Sequence, residues 1–410
     1  MNHRIEKARE SFFDRIWLLL IIILIIYVFF FQYSVKSFSG LMIVLCSSII
    51  LCGLFQIFAN QHGKISKSLM GLILFFVFVA SLVTIIFTSQ GNYGTMLCVK
   101  MIEYVLTAYS IYLLLLNQPQ YIEILLGCIC VTITLLGIVS LSQGVAITSA
   151  GAKGIEGLNA NIMSSFFVIM IFSSFCLFWK KRRKIITILL CLMNAIVIIA
   201  QISAASRRGF IVIILFVSLS IIFALIPHKS GNRSKKRMTL YIFFVVAIAV
   251  ALVYFKNYLL DSTVLGARLM GSFDGGDAAR AKYQAFALEQ FRMHPIWGIG
   301  LGGIAYHMGA YSHSMYYELV SCTGLVMTMI FFAGFLGFGV KYWKINKQYR
   351  RRGNCKEIVY VSTECFFFWL SLIISGYAVV MIYDFYFYLS VALLTAIYKN
   401  IELNGENWYL

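Results

Sequence analysis

IWLLLIIILIIYVFFF, residues 16–31, and IVIILFVSLSIIFALI, residues 211–226, are the stretches that decide the fold. Each approaches the ~20 apolar residues that a helix needs to cross a bilayer. Across the chain 61% of the residues are hydrophobic and 12% are charged, which excludes a water-soluble globular protein. Backbone amides in lipid must bond within their own segment, and these runs lack the alternation of barrel strands, so they predict helices.

The apolar runs together predict an all-α, polytopic transmembrane bundle of about 12 spans. The predicted helices cover residues 16–33, 39–59, 69–89, 96–116, 121–142, 160–179, 185–203, 209–226, 238–257, 316–339, 359–380 and 384–398. Three regions follow: transmembrane helices in residues 1–255, one long extracytoplasmic loop with helical segments in residues 256–315, and the last helices with a cytoplasmic tail in residues 316–410.

Lysine and arginine predict the orientation, because basic flanks stay on the cytoplasmic side. With both chain ends inside, 24 of the 34 basic residues fall on inner segments and 10 on outer ones. The inner clusters contact anionic lipid and explain the net charge of +18. Membrane lipid is therefore an expected partner, and nucleic acid is not.

The outer basic residues need another reason to exist, and most of them occur in two places. Arg207 and Arg208 open one predicted helix, and the long loop contains Lys256, Arg268, Arg280, Lys282 and Arg292. Three of the six histidines lie in the same loop, at His294, His307 and His313.

Arginine and histidine on one face of a membrane protein indicate a particular chemistry. The planar guanidinium suits diphosphate oxygens, and an imidazole can accept a proton from a hydroxyl. Together they predict glycosyl transfer from a lipid diphosphate sugar. Arginines would neutralise the departing diphosphate, and a histidine would deprotonate the attacking sugar hydroxyl.

Metal ions and organic cofactors are not expected. The nearest thing to a metal-binding pair, Asp274 and Asp277 in DGGD, flanks glycines as a turn would. The chain has no GxxxxGK[ST] phosphate loop, no HExxH and no CxxC pair. ATP-driven transport and zinc proteolysis therefore lack their usual residues.

Four motifs occur in a recognisable order. They are SRRGF at residues 206–210, Arg280, HPIWGIGLGG at residues 294–303 and YSHSMYYELVSCTGLV at residues 311–326. This order resembles the O-antigen polymerase and O-antigen ligase superfamily, whose members have a loop arginine, a P-x-x-G-x-G turn, and a histidine followed by a glycine about eleven residues later. Here the family's usual asparagine after the histidine is replaced by Ser314.

The resemblance implies an inverting, metal-independent transferase that acts on undecaprenyl-diphosphate-linked glycans, in the bacterial cytoplasmic membrane and on its outer face. Polymerases extend a lipid-linked repeat unit, whereas ligases transfer a finished glycan to an acceptor. We predict a polymerase that makes capsule or O-antigen, with a ligase as the alternative. A flippase and a chain-length regulator are the expected neighbours of a polymerase. A lipid-linked oligosaccharide flippase or transporter and a non-catalytic scaffold are alternatives of other classes.

The predicted roles of the site residues follow from these chemistries. His313 is the predicted general base, and Arg280 is the strongest predicted diphosphate ligand and the second catalytic residue. Further predicted diphosphate ligands are Arg207, Arg208 and Arg292, and predicted sugar contacts are Glu318, Tyr311 and Tyr317. Glu318 is also predicted to orient His313.

Each of these residues also has a structural alternative. His313 would cap the loop, Arg280 would pair with Asp274 or Asp277, and the tyrosines would form an interfacial belt. The glycines of residues 298–303 either let the turn approach the substrate closely or serve a purely structural turn.

Overall fold

The computed structural model describes residues 11–32, 39–59, 68–88, 90–143, 146–148, 151–155, 158–179, 184–204, 206–225, 278–352 and 355–405. Its first eight helices are α1 Phe12–Ile26, continued by a π-helical segment Tyr27–Phe31, α2 Ser39–Ala59, α3 Leu69–Phe87, α4 Gly91–Asn117, α5 Tyr121–Gln143, α6 Ala160–Trp179, α7 Lys184–Ser203 and α8 Arg207–Leu225. The later helices are α9 Ala278–Met293, α10 Gly303–Met308, α11 Met315–Arg352, α12 Lys356–Gly376 and α13 Phe385–Asn404, with a 3₁₀ turn Met381–Tyr383 before α13.

The observed helices confirm the all-α class that the apolar runs predict. Among the described residues, nine helices are long and apolar enough to cross a membrane: α1 with its π-helical extension, α2 to α7, α11 and α12. The chain is therefore a multi-pass membrane protein. The predicted helix at residues 238–257 lies outside the described residues, so the total of 12 spans stays a prediction.

Two details of the fold differ from the sequence prediction. The helix predicted to end at residue 339 continues to Arg352, because the following segment, KYWKINKQYRRR, favours helix as much as the apolar run does. A small antiparallel sheet was not predicted; its strands are β1 Ala146–Thr148, β2 Gly151–Ile155 and β3 Leu158–Asn159, in the order β1-β2-β3.

Two compact units are formed from interleaved parts of the chain. The first unit comprises residues 1–132, 282–340 and 376–410. In it, α4 packs against α2, α3 and α13. Phe331 of α11 lies 5.0 Å from Phe76 of α3 and 6.3 Å from Phe387 of α13, measured between ring centroids. Aromatic contacts therefore join the three parts of the chain that form this unit.

The second unit comprises residues 133–281 and 341–375. In it, α6 packs against α7 and α8, and the ring of Phe172 stacks on Phe368 of α12 with centroids 4.2 Å apart. The buried carboxylate of Glu364 accepts hydrogen bonds from the Ser220 hydroxyl at 2.6 Å and the Trp179 indole N–H at 3.0 Å. These bonds satisfy a charged group that apolar surroundings would otherwise disfavour.

Candidate active site

His313 has an unusual backbone conformation. Its φ is 58°, and among the described residues it is the one non-glycine residue with a positive φ. The left-handed conformation costs a residue with a β-carbon about 1–2 kcal/mol, and it persists where the surroundings enforce it. The side chain is half-buried, and its ring lies 5.9 Å from the ring of Tyr283, centroid to centroid. The protein therefore holds this histidine in a conformation that the free chain would rarely adopt.

A buried carboxylate binds the residue before His313. Glu318 is 0% exposed, and its Oε2 accepts the backbone N–H of Ser312 at 3.0 Å. The Ser312 hydroxyl lies 2.8 Å from the same oxygen and 2.8 Å from the carbonyl oxygen of Ser314. Because a hydroxyl has one proton, Ser312 donates to one of these two acceptors at a time.

Ser314, on the other side of His313, is bonded mainly through its backbone. Its N–H donates to the Ser312 hydroxyl oxygen at 3.3 Å. Its own hydroxyl oxygen is buried and has no hydrogen-bond partner among the described residues. Position 314 therefore contributes one buried polar atom without a bond among the described residues.

Tyr383, just before α13, bonds to the second oxygen of Glu318. The tyrosine hydroxyl donates to Oε1 at 3.2 Å and accepts the backbone N–H of Gly302 at 2.8 Å. Burial, reinforced by the nearby Glu318, raises the pKa of Tyr383 well above its ordinary value, so the phenol stays protonated and donates. One carboxylate therefore ties the His313 segment to the glycine turn and to the 3₁₀ turn.

The two tyrosines predicted to contact sugar have different surroundings. Tyr311 is half-buried, its ring lies 4.9 Å from the ring of Tyr383, and its hydroxyl bonds to Tyr93. Burial raises the pKa of Tyr311 as well. Tyr317 packs against an apolar cluster that includes Ile304 and Cys322. Tyr311 therefore belongs to the polar cluster around Tyr383, and Tyr317 to the apolar packing beside it.

The glycine turn of residues 294–303 fills a break in helix α11. Gly324, inside that helix, has φ 69° and ψ 179°, values that no helical residue has. In a continuous helix the N–H of Leu325 would bond to the carbonyl of Ser321. It bonds instead to the carbonyl of Pro295 at 2.8 Å.

The same turn donates hydrogen bonds to the helix carbonyls that lose their partners at the break. The Ile299 N–H bonds to the Ser321 carbonyl and the Gly300 N–H bonds to the Cys322 carbonyl, both at 2.9 Å. Without these bonds, the backbone groups at the break would need water as a hydrogen-bond partner, and lipid provides none. The turn and the broken helix therefore complete each other.

All the N–H groups of residues 298–303 point into the protein. Besides the bonds already described, the Gly298 N–H bonds to the His294 carbonyl at 3.0 Å, the Leu301 N–H to Thr84 Oγ1 at 2.8 Å, and the Gly303 N–H to the Gly300 carbonyl at 3.0 Å. The turn thus presents no unused N–H for a phosphate. A β-carbon on Gly298 would lie 2.5 Å from the Cys322 carbonyl carbon. The N–H bonds and the close packing support the structural turn, and the alternative of a turn that contacts substrate stays a prediction.

Helix α9 contains two of the predicted arginines. Arg280 is half-buried in the first turn, three residues before Tyr283. Arg292 is exposed in the last turn, where a positive charge interacts favourably with the helix dipole. Ala287, in the middle of the helix, is buried in the apolar cluster with Ile299. The dipole accounts for Arg292 in structural terms, whereas Arg280 stands at the end where the dipole disfavours a cation.

In the second unit, Arg207 and Arg208 occupy the first turn of α8 and are both half-buried. Ser206, directly before them, donates its hydroxyl to Asn161 Oδ1 at 2.8 Å, and its carbonyl accepts from Gln201 at 3.1 Å. A β-carbon on Gly209 would lie 2.1 Å from that of Ser164 in α6. The start of α8 is therefore fixed tightly against α6, and it holds two adjacent guanidinium groups.

The predicted site residues are divided between the two units. The first unit contains His313, Glu318, Arg292, Tyr311 and Tyr317, and the second contains Arg207, Arg208 and Arg280. His313, Glu318 and Tyr311 come together around Tyr383, while Arg292 and Tyr317 have the surroundings described above. The predicted contacts of all eight residues to diphosphate or sugar stay predictions.

Within the described ranges, no group of three His, Cys, Asp or Glu side chains is placed to hold a metal ion. Asp274 and Asp277 lie outside those ranges, as do Lys256 and Arg268.

Two residues that bond to the glycine turn, Tyr383 and Thr84, were not predicted from the sequence, whereas Gln90 lies in a segment, residues 90–94, that was predicted to complete an acceptor groove. Tyr383, Thr84 and Gln90, whose amide donates to the Ile299 carbonyl at 2.8 Å, all bond to the glycine turn from distant helices. Polar side chains near the ends of apolar helices could have indicated such bonds. They are also common at an ordinary membrane interface, so the sequence does not distinguish the two.

Comparison with protein-family models found no match, and a search of curated proteins found no match either.

Proposed function

We propose that the chain is a membrane glycosyltransferase that polymerises undecaprenyl-diphosphate-linked oligosaccharide repeat units into a surface polysaccharide. The motif order from Arg280 through Pro295 and His313 to Gly324, with its resemblance to the O-antigen polymerase and ligase superfamily, supports it. The observation that carries it is the left-handed backbone of half-buried His313, directly after a residue that bonds to a fully buried carboxylate. Backbone strain of this kind is concentrated at active sites.

In the proposed reaction, the His313 imidazole accepts the proton of a sugar hydroxyl on the acceptor. The resulting oxygen forms a bond to the anomeric carbon of the donor sugar from the face opposite the diphosphate. The bond from that carbon to the diphosphate oxygen breaks, and the polyprenyl diphosphate leaves with the electron pair. One displacement inverts the anomeric configuration, and the proton rests on the imidazole until water removes it.

The three arginines at helix starts support binding of the leaving diphosphate. Arg207 and Arg208 lie in the first turn of α8, and Arg280 lies in the first turn of α9. Cations are unfavourable at a helix N-terminus, whereas an anion there gains from the dipole and the unpaired N–H groups. Guanidinium groups beside helix N-termini combine two features that bind diphosphate oxygens, a planar set of donors and a favourable dipole.

The proposed setting is the bacterial cytoplasmic membrane, with the reaction on its outer face. A flippase that delivers the lipid-linked repeat and a regulator of chain length are the proposed partners. The ligase alternative differs in the acceptor, which would then be a lipid A core rather than a second lipid-linked repeat.

The test is elongation of purified lipid-linked repeat units by the protein reconstituted in vesicles. Wild type should produce a ladder of longer glycans, and His313→Ala and Arg280→Ala should abolish it. His307→Ala is the matched control, because His307 is exposed on α10 and should leave the ladder unchanged. Full activity of His313→Ala would disprove the role of the imidazole. Transfer to a lipid A core acceptor without any ladder would identify a ligase instead.

A further inference from the structure

Glu318 is a fully buried carboxylate, and the donors that bond to it in the described part of the chain are all neutral groups. A carboxylate in such a place is costly unless hydrogen-bond donors satisfy it. Its donors are the Ser312 backbone and hydroxyl and the Tyr383 phenol, with the Cys322 thiol at 3.6 Å. Three of these four donors come from segments outside helix α11.

The geometry differs from ordinary helix capping. In a capping box, the third residue of the helix bonds to the N–H of the residue just before the helix. Helix α11 begins at Met315, so those residues would be Tyr317 and Ser314. Glu318 is one residue further along and bonds to Ser312, two residues before the cap. The bond therefore passes over His313 and fixes the chain on its far side.

We infer that Glu318 and Tyr383 are positioning residues that hold the His313 imidazole in place for proton transfer. Removing the bond from Glu318 to Ser312 should free the backbone to leave the left-handed region, because that conformation costs a residue with a β-carbon about 1–2 kcal/mol. Tyr383 sets the carboxylate, since its hydroxyl links Oε1 to the rigid glycine turn through Gly302. The inference rests on the proposed function only in taking His313 as the reacting base.

Tyr383→Phe and Glu318→Gln test this inference with small changes of volume. Tyr383→Phe removes a single oxygen, so it tests the inference even if the substitution at Glu318 prevents folding. Glu364→Gln is the matched control, because Glu364 is a second fully buried glutamate whose partners, Ser220 and Trp179, lie in the other unit.

The first measurement does not depend on activity. Amide hydrogen exchange of the peptide covering residues 311–319 should become faster in Tyr383→Phe and Glu318→Gln, and stay unchanged in Glu364→Gln. Acylation of His313 by diethyl pyrocarbonate, mapped by mass spectrometry against His307 as an internal reference, should change in rate in the same two variants.

The second measurement is the kinetics of elongation. Misplacing a catalytic group slightly lowers its rate by about 10–100-fold, so kcat should fall by that factor in both variants. The KM for the lipid-linked donor should stay within about twofold if both residues act through His313, whereas a large rise in KM for Glu318→Gln would point to the predicted sugar contact instead.

The outcomes separate the two proposals. Exchange and His313 acylation at wild-type rates in both variants would overturn the positioning role. If the exchange changes as expected while wild type itself never elongates a glycan, the positioning stands and the proposed function fails.

Discussion

Replacing Gly324 by alanine should destabilise the protein more than any other single methyl group added to helix α11. The backbone there has φ 69° and ψ 179°, a region essentially reserved for glycine, which costs other residues about 1–3 kcal/mol. The new β-carbon would lie 2.1 Å from the carbonyl oxygen of Ile296. That atom belongs to the backbone and cannot rotate away, so overpacking adds about 1–3 kcal/mol. The expected loss is therefore about 2–6 kcal/mol, a large part of the stability of a typical protein.

Thermal unfolding of the purified protein in detergent, followed by tryptophan fluorescence, measures this loss. Gly337→Ala is the control in the same helix, because a β-carbon there meets nothing within 4 Å. In a regular helix, alanine is better than glycine by about 0.5–1 kcal/mol, so this variant should melt at or above the wild-type temperature. Equal melting temperatures for Gly324→Ala and Gly337→Ala would refute the account of the broken helix.

Three further predictions concern other parts of the chain. Gly209→Ala should reduce the free energy of unfolding by about 1–3 kcal/mol through overpacking against Ser164, and so lower the melting temperature. Gly127→Ala, where a β-carbon meets nothing within 4 Å, should not lower it. Thr84→Val removes the acceptor of the Leu301 N–H and should cost about 1–3 kcal/mol of stability. Amide hydrogen exchange of the glycine turn should become faster, and unchanged exchange would contradict this prediction. Glycan elongation should persist in EDTA because arginines replace a metal ion, and its loss on chelation would disprove the metal-free chemistry.

The membrane helices were the most predictable part of the fold. A run such as residues 16–31 has one stable conformation in lipid, because its backbone must bond within the segment. Helix α11 shows the limit of this reasoning. Hydropathy predicts its apolar part. It does not predict the polar extension to Arg352, and it does not reveal the break at Gly324, because the apolar run continues through that glycine. Strands β1 to β3 were missed since they are two to five residues long.

The candidate site was predictable in its titratable residues and not in its supports. His313 and Arg280 are unusual residue types beside a membrane, so composition alone singles them out. Tyr383 follows Ser312 by 71 positions in the chain, and nothing in either local sequence indicates that both residues bond to the Glu318 carboxylate. The role of each glycine depends on the group that it approaches, such as the Cys322 backbone beside Gly298, and tertiary packing decides which group that is.

The insertion of the glycine turn into helix α11 limits how a substrate can reach His313. Lifting the turn away would break three backbone hydrogen bonds at once. Each buried group that loses its partner in this way costs about 1–3 kcal/mol. This part of the protein is consequently unsuited to be a gate that opens in every catalytic cycle. If the chain elongates a lipid-linked glycan as proposed, that glycan has to enter and leave by a route that leaves the glycine turn in place.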